Sequence, residues 1–263
     1  MSQHTVAAAL EALGRDAIQV QNGKLRLGII VCMMAGGVLY SRRFYEEVLQ
    51  DPATASPLIF PETVFNAPAS HLGAYLNSPG INYTLVGDAG TFLQGLALAA
   101  DWLDRDQADG CLVVGVEEMD WIVADAIRLF RRATIYAAGA GAIYLKQNQP
   151  EAVELVAITD SFTFTNSQSR PAAAKMMESQ LPAGDIHELL CISDDNNFAR
   201  PGWPGQLLAP KTILGEAFVV SAAWQCVAAC DAISLGKFTA ANVSVVGANQ
   251  QGVGARFERN EIL

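Results

Sequence analysis

The residues best placed for chemistry lie in a tight turn between an apolar strand pattern and an apolar helix pattern. The turn reads Gly-Asp-Ala-Gly-Thr over residues 87–91, after the strand pattern at 83–86 and before the helix pattern at 92–103. Enzymes often place a nucleophile at such a turn, because the free N–H groups and the dipole at a helix N-terminus favour an anion. Asp88 is therefore a candidate base or nucleophile, although aspartate also commonly caps a helix.

The five cysteines do not form the pattern of a disulfide framework or a metal site. Cys226 and Cys230 are one helical turn apart, a spacing that could suit a metal, but no second pair and no histidine lies close in sequence. Cys32, Cys111 and Cys191 fall in apolar segments. We interpret all five as small buried hydrophobic side chains and predict no disulfide and no metal.

Strand and helix patterns alternate along the chain. The helix pattern at 92–103 is apolar on nearly all faces, which predicts a buried, central helix. Further helices are predicted at 5–14, 38–50, 66–76 and 222–233, and strands at 25–34, 111–116 and 137–147. Residues 199–210 are predicted to form a loop, and residues 186–197 a helix or turn that leads to a strand. The alternation predicts an α/β fold.

An internal repeat indicates that the fold is duplicated. The helix, strand and strand patterns lie at 93–103, 112–115 and 141–145 in the first copy, and at 222–233, 244–247 and 254–257 in the second. Chance similarity between two such segments is the alternative explanation. The repeat predicts two related halves, residues 1–148 and 149–263, in one compact fold.

Composition and charge exclude several classes of function. With 263 residues, 51% of them hydrophobic, the chain is long enough to bury a large core. A net charge of -10 argues against nucleic acid as a partner, because phosphate binding needs a basic face. The sequence shows no signal-peptide pattern and no apolar run of the length that a membrane span needs. We therefore expect a cytoplasmic protein without membrane insertion.

Three segments resemble the β-ketoacyl synthases. The run PGINYTLVGDAGTFLQGLALAADWL resembles the family segment in which a Gly-Pro turn leads into a strand, an Ala-Cys-Ala/Ser turn and a buried helix. The run at 137–147 resembles the family's Gly-Glu-Gly-Ala-Gly segment, and FPETVFN is similar to the segment that precedes the strand. The resemblance implies a thiolase-like fold of α-β-α-β-α layers, built from two duplicated halves. This chain is then a truncated version, because sequence is missing mainly before residue 25 and between residues 147 and 186.

The positions that carry ketosynthase chemistry are changed in this chain. On the family pattern the acylated cysteine falls at Ala89, one catalytic histidine falls at Asp194 and Asp195, and the other falls at Glu216. A methyl group cannot attack a thioester. Carboxylates would repel the developing enolate instead of stabilising it. The resemblance therefore implies a pseudo-enzyme that does not condense acyl groups.

Two other positions match the family without implying catalysis. Glu117 matches a glutamate that ketosynthases carry after a Gly-Gly turn, and we interpret it as a structural hydrogen-bonding group. Residues 249–252, Asn-Gln-Gln-Gly, match a glycine-rich loop that lines the family's site. Their amide side chains suit a filled, unused oxyanion region.

The resemblance implies a role as a partner subunit. In polyene, polyketide and fatty-acid-like biosynthesis the family includes a chain length factor, which heterodimerises with an active ketosynthase and bounds its acyl tunnel. The apolar residues of 82–116 would form the interface, no cofactor is implied, and acyl carrier protein would be met indirectly. The basic cluster of Arg128, Arg131 and Arg132 suits an acidic carrier protein or partner, or else a solvated helix face.

The tunnel role implies bulky side chains at its closed end. Tyr40 and Phe44 are one turn apart on the helix predicted at 38–50, and they are our gating candidates together with Phe92. A large aromatic ring at the end of a narrow apolar channel stops further carbon units from fitting. The alternative is that these rings simply pack in the core.

Two other classes of function stay open at this point. One is an enzyme with altered chemistry, such as a thioester hydrolase or decarboxylase that uses Asp88, Asp194 or Glu216. The other is a homodimeric acyl-binding scaffold, which would associate with itself and need no partner.

Overall fold

A helical layer lies between two β-sheets in the computed structural model of this chain, which describes residues 1–132, 134–149, 152–193, 202–248 and 251–260. The helices are α1 (Ser2–Leu13), α2 (Asp16–Gln21), α3 (Val38–Gln50), α4 (Phe60–Thr63), α5 (Ala67–Tyr75), α6 (Thr91–Asp104), α7 (Trp121–Arg128), α8 (Arg170–Ser179), α9 (Pro210–Leu214) and α10 (Val219–Ser234). The strands are β1 (Leu27–Met33), β2 (Asn82–Val86), β3 (Gly110–Glu117), β4 (Gly139–Leu145), β5 (Val153–Ile158), β6 (Phe162–Thr163), β7 (Glu188–Ile192), β8 (Gln206–Leu208), β9 (Ala240–Val246) and β10 (Gln251–Arg259).

The first sheet has four strands in the order β2-β1-β3-β4. β1 pairs in parallel with β2 and with β3, and β4 pairs antiparallel with β3. Every residue of β1 and β3 is buried. Continuous apolar runs of this kind are typical of parallel strands that have helices on both faces. β2 and β4 form the two edges.

The second sheet repeats this order and extends it. β8, β7 and β9 are parallel, and β10 pairs antiparallel with β9. β5 and β6 then pair antiparallel with the outer side of β10. The order β8-β7-β9-β10 thus matches β2-β1-β3-β4, which confirms the predicted duplication. The proposed division between residues 148 and 149 stays a prediction.

The central layer consists of α6 and α10. Phe92, Leu93, Leu96 and Ala99 of α6 are all 0% exposed, which confirms the prediction of a central apolar helix. Full burial of a Leu or Phe side chain contributes about 1.5–3 kcal/mol relative to exposure. On the outer side of the first sheet lie α1, α2 and α5, and on the outer side of the second lies α8. The layers therefore run α-β-α-β-α.

Of two predictions for the second half, one was wrong and one was right in its described residues. Residues 199–210 were expected to form a loop, but they include β8, which pairs in parallel with β7. Residues 186–197 were expected to form a helix or turn that leads to a strand, and residues 186–187 do form a turn before the fully buried strand β7. Short apolar runs fit a buried strand or a helix equally well, and only pairing with a distant segment decides between them.

A helix that crosses a bilayer has to be long and predominantly apolar. Among the described ranges, none of the helices combines the length and the apolar character needed to cross a bilayer.

Candidate functional site

Asp88 fixes the turn that precedes α6. Its Oδ1 accepts hydrogen bonds from the N–H of Ala89, at 2.9 Å, and from the N–H of Ala248, at 3.1 Å. Ala248 lies between β9 and β10, so one carboxyl group connects the two halves of the fold. The N-cap of α6 is Gly90, without a side-chain cap. Asp88 therefore does not occupy the helix-cap position that the sequence suggested.

Ala89 and Glu216 line one small cavity together with Ser193, Lys211 and Ser221. The cavity has a volume of about 10 Å³, which is room for roughly one water molecule. Two of the positions that the resemblance matched to catalytic groups therefore come together in space. An acyl chain does not fit in this volume.

Glu216 is buried and strongly held. Its Oε1 accepts from the N–H of Phe218 at 2.9 Å and from Ser221 Oγ at 3.2 Å. Its Oε2 contacts the ammonium of Lys211 and lies 3.9 Å from a guanidinium nitrogen of Arg131. The carboxylate is thus neutralised in place and already satisfied by protein groups.

The backbone before α10 holds Glu216 in this position. Phe218 adopts a φ of +48°, in the left-handed region that a bulky side chain rarely occupies. Its N–H bonds Glu216, and its ring contacts the ring of Tyr136 at a centroid distance of 5.9 Å. These contacts, with burial of the ring, offset a backbone cost of about 1–3 kcal/mol.

Lys211 is the residue at this site that sequence reasoning missed. It lies in the last turn of α9, five positions before Glu216, and its side chain is only 19% exposed. A single lysine in a polar loop pattern carries no sign of burial. The available signal was Glu216 nearby, because an acidic side chain that is buried needs a cation beside it.

Glu117 lies beneath the turn that leads into α3. It is 0% exposed, and its two oxygens accept from the N–H groups of Met34, at 2.5 Å, and Ala35, at 3.1 Å. Burial, with a smaller effect from the negative charge of Glu216, raises the pKa of Glu117 from its ordinary 4.5 to about 7. The interpretation of Glu117 as a structural hydrogen-bonding group is confirmed.

Several matched positions fall outside the described residues. These are Asp194 and Asp195, and Asn249 and Gln250 of the glycine-rich loop. Of that loop, Gln251 is described: it is 7% exposed, and its Oε1 accepts from Gln94 Nε2 at 3.0 Å and from the hydroxyl of Ser161.

The gating candidates occupy two different environments. Phe92 is fully buried in the central core. α3 has no buried residue, Tyr40 is 38% exposed, and Phe44 contacts Phe60 at a centroid distance of 5.6 Å. Tyr40 also lines a surface cavity of about 360 Å³ with Leu39. The structure therefore places Tyr40 and Phe44 away from the central core that contains Phe92.

Among the described residues, the cysteines and the acidic groups do not assemble a metal centre. Cys32, Cys111, Cys191 and Cys226 are buried, and Cys230 is half-buried. Burial raises the pKa of the Cys191 and Cys230 thiols to about 12, so both are protonated at neutral pH. Within the part of the chain that the structure describes, no group of three His, Cys, Asp or Glu side chains could hold a metal ion.

A set of large exposed hydrophobic side chains lies on α3, on the segment after it and on α7. We call it the apolar face and define it by large hydrophobic side chains that are each at least 37% exposed: Leu39, Tyr40, Tyr45, Leu49, Leu58, Phe60, Val64, Phe65, Trp121, Ile122, Leu129 and Phe130. α3 and α7 are linked by an ion pair between Arg42 and the buried Asp120, at 3.1 Å. So many exposed aromatic and aliphatic side chains on neighbouring elements are typical of an interaction surface.

The basic cluster has divided roles. Arg131 contacts Glu216, and Arg128 pairs with Asp125 at 3.3 Å on the same helix. Arg132 is exposed and lines a surface cavity of about 380 Å³ with Arg128. One of the three arginines therefore serves the buried site.

No protein-family model and no curated protein matches this sequence. Solved structures match it through the fold. The ishigamide ketosynthase/chain length factor gives a TM-score of 0.72 over 90% of this chain and 74% of the other, at 16% identity. The complex AntDE:AntF, a type II polyketide synthase acyl carrier protein with its ketosynthase bound to the hexaketide, gives 0.77 over 98% and 81%, at 13% identity. A β-ketoacyl synthase from Burkholderia phymatum gives 0.78 over 99% and 82%, at 11% identity.

The chain therefore has the thiolase-like fold of the β-ketoacyl synthases, as the sequence predicted. It covers about three quarters to four fifths of the length of these three structures.

Proposed function

We propose that this chain is a non-catalytic ketosynthase-like subunit of the chain length factor kind. It pairs with an active β-ketoacyl-ACP synthase and bounds the acyl tunnel of that partner in polyene, polyketide or fatty-acid-like biosynthesis. The observation that carries the proposal is the cavity at Ala89, which offers no thiol and a volume of about 10 Å³. Acyl transfer needs both a nucleophile and room for the thioester.

The electrostatics of the cavity support the same conclusion. A ketosynthase needs hydrogen-bond donors aimed at the developing enolate. Here Glu216 accepts hydrogen bonds and takes up the charge of Lys211, so it offers no donor to a substrate. His71 bonds Glu62 at 2.7 Å, and neither His4 nor His187 lines the cavity.

The apolar face supports a permanent partner. Exposed Leu, Phe, Tyr and Trp side chains are unfavourable in water and become favourable when they are covered by a second protein. Obligate interfaces are the class that uses such apolar surfaces. Among the described strands β2 forms one edge of the first sheet, and two of its residues, Tyr83 and Val86, are more than half exposed. One of the matching structures is described as a ketosynthase/chain length factor, which supports a partner of the same fold.

Tyr40 and Phe44 act in this proposal as the steric limit of the partner's tunnel. Both lie on α3, within or beside the apolar face, so a partner that covers this face brings its own tunnel wall next to these rings. Phe92 is a weaker candidate because it packs in the central core. An acyl carrier protein meets the assembly through the active subunit.

The proposal is tested by co-expression of this chain, untagged, with the tagged ketosynthase encoded nearest to it. We expect a one-to-one complex by native mass spectrometry. Tyr45→Glu and Leu49→Glu should weaken the complex at least tenfold, because each places a charge in a desolvated apolar interface. Ile186→Glu is the matched control, since Ile186 is 68% exposed and lies outside the apolar face.

Two results would contradict the proposal in different ways. A stable homodimer that does not bind the ketosynthase would indicate that a second copy of this chain covers the apolar face. It would favour the function of a homodimeric scaffold. Turnover of an acyl thioester by the isolated chain would show an enzyme with altered chemistry.

A further inference from the structure

β4 leaves the first sheet with an open backbone edge. Its ladder with β3 runs from the pair Glu117–Gly139 to the pair Cys111–Leu145 without a register shift. In an antiparallel ladder every second residue of an edge strand directs its N–H and C=O away from the neighbouring strand. Among the described residues no strand pairs with this side of β4.

Helices cover both faces of β4, so only its edge is open. Ala142 and Tyr144 pack against the outer core that includes α1, and Ile143 and Leu145 pack against the central core. At the other end of the strand, Trp224 Nε1 donates to the carbonyl of Ala140 at 3.1 Å. The stretch from residue 142 to residue 145 is therefore the accessible part of the edge.

The second sheet shows what such an edge accepts. β10 is the counterpart of β4, and it pairs with β5 from Arg259–Val153 to Ala255–Ile158 and then with β6. This added strand is antiparallel to β10 and has the largely apolar sequence VELVAI. In the first sheet no described strand occupies the same position beside β4.

β4 lacks the features that normally protect an edge strand. Natural edges carry lysine, proline, inward charges or a bulge, which prevent pairing with another chain. The sequence of β4 is GAGAIYL, and its first charged neighbour is Lys146, which follows the strand. Lys146 already pairs with Asp16 at 2.9 Å. The edge is thus a competent acceptor for a further strand.

A groove of about 690 Å³ lies at the C-terminal end of β4. Among the described residues that line it, three carry carboxylates, Asp16, Asp104 and Glu154, and one, Lys146, is a cation. With Asp16 and Lys146 paired, two carboxylates are left to attract a positive group. An antiparallel segment beside β4 would enter from this groove, so its N-terminal residues would meet these carboxylates.

We propose that the free edge of β4 binds an extended segment of a partner polypeptide, which runs antiparallel to β4 and carries Lys or Arg at its N-terminal end. The segment is rich in residues that favour strands, as β5 is with Val153, Val156 and Ile158. Backbone hydrogen bonds along residues 142–145 supply affinity, and the groove selects for the basic end. This surface is separate from the apolar face, so the inference does not depend on the pairing with a ketosynthase.

The test uses a synthetic peptide, KRVTVTVTG, with a fluorophore at its C-terminus, and the full-length protein. We expect saturable binding by anisotropy and slower amide hydrogen exchange in residues 139–145. Two matched peptides carry N-methyl groups at alternating positions, one set on each edge of the peptide strand. One of them should bind as tightly as the unmethylated peptide. The other should bind at least about tenfold more weakly, because only one edge of the peptide faces β4.

A charge test addresses the groove. The peptide EEVTVTVTG should bind about fivefold more weakly than KRVTVTVTG, a difference typical of one exposed ion pair. Combining Asp104→Asn with Glu154→Gln should remove that difference and leave the effect of N-methylation intact. Absence of saturable binding, equal binding of both N-methylated peptides, or protection confined to the edges at β2 or β8 would overturn the proposal. If amide exchange in residues 139–145 slows as the protein concentration rises without any peptide, the edge binds a second copy of this chain. That result would also overturn the proposal.

Discussion

The Oδ1 atom of Asp88 lies 3.1 Å from the backbone nitrogen of Ala248, from which it accepts a hydrogen bond, although the two residues are 160 positions apart in the chain. Asp88→Ala should lower the free energy of unfolding by about 1–3 kcal/mol, because two buried N–H groups lose their acceptor. Asp88→Asn keeps an acceptor oxygen and should lose less. Urea unfolding followed by circular dichroism measures both, and a fully stable Asp88→Ala protein would show that this bond does not hold the halves together.

Restoring a thiol at the matched position should not restore acylation. In Ala89→Cys the new side chain faces a cavity of about 10 Å³, which is too small for a thioester. We expect no acyl adduct at this position by peptide mass mapping after incubation with acyl-CoA. Iodoacetamide should label it only after unfolding in urea. An acyl adduct on the native protein would mean that the cavity opens.

The buried Glu117 should make stability depend on pH. Its pKa is about 7 in the folded protein and near 4.5 when unfolded, so the folded state holds the proton more tightly. The stabilisation is complete below about pH 4.5 and is lost as the pH rises through 7. Relative to Glu117→Gln, the native protein should lose up to about 3 kcal/mol of unfolding free energy between pH 4.5 and pH 8. If the unfolding free energies of the native protein and of Glu117→Gln change with pH in parallel, this prediction is wrong.

The contact between Lys211 and Glu216 should stabilise the fold only as a pair. Lys211→Met leaves a buried carboxylate without its main counter-charge and should cost about 3 kcal/mol. The double variant Lys211→Met with Glu216→Gln should recover most of that loss, because no charge is left unpaired. Chemical denaturation of both variants tests this, and equal losses in the two would show that Lys211 acts through packing alone.

Alanine substitutions of the three gating candidates should destabilise the protein to different extents. Phe92→Ala removes a ring that is 0% exposed and should cost about 3–5 kcal/mol. Tyr40→Ala and Phe44→Ala change a helix without buried residues and should cost less than about 1.5 kcal/mol. In the complex with the active ketosynthase, Tyr40→Ala and Phe44→Ala should yield longer products by mass spectrometry. Unchanged products with an intact complex would remove both residues from the tunnel.

The fold could be predicted where sequence pattern and burial agree. α6 is apolar on nearly all faces because it lies between two sheets, and no local feature competes with that pattern. The repeat was readable because α10 and β9 carry the same apolar character as α6 and β3. By contrast, β8 has three residues, two of them exposed, and becomes a strand only through its pairing with β7. Contacts between distant segments of this kind leave no periodic signal.

The site was predictable in position but less so in its electrostatics. A resemblance could align Ala89 and Glu216, and the structure brings both to one cavity. It could not show that Glu216 is held by Lys211 and Arg131, because those residues reach it from other elements. Asp88 was matched to a helix cap by local rules, yet its carboxyl bonds to Ala248 in the other half.

The position of α6 between two sheets also matters while the chain is being made. Its C-terminal residue, Asp104, leaves the ribosome well before β10 ends at Arg259. At about 5–20 residues per second, the helix waits on the order of 10–30 seconds for the strands that cover its second face. During that interval the apolar residues of α6 that will face the second sheet are exposed in the nascent chain. Synthesis of this protein should therefore depend on chaperones that bind apolar segments, and a ribosome stalled after residue 150 should hold an aggregation-prone half.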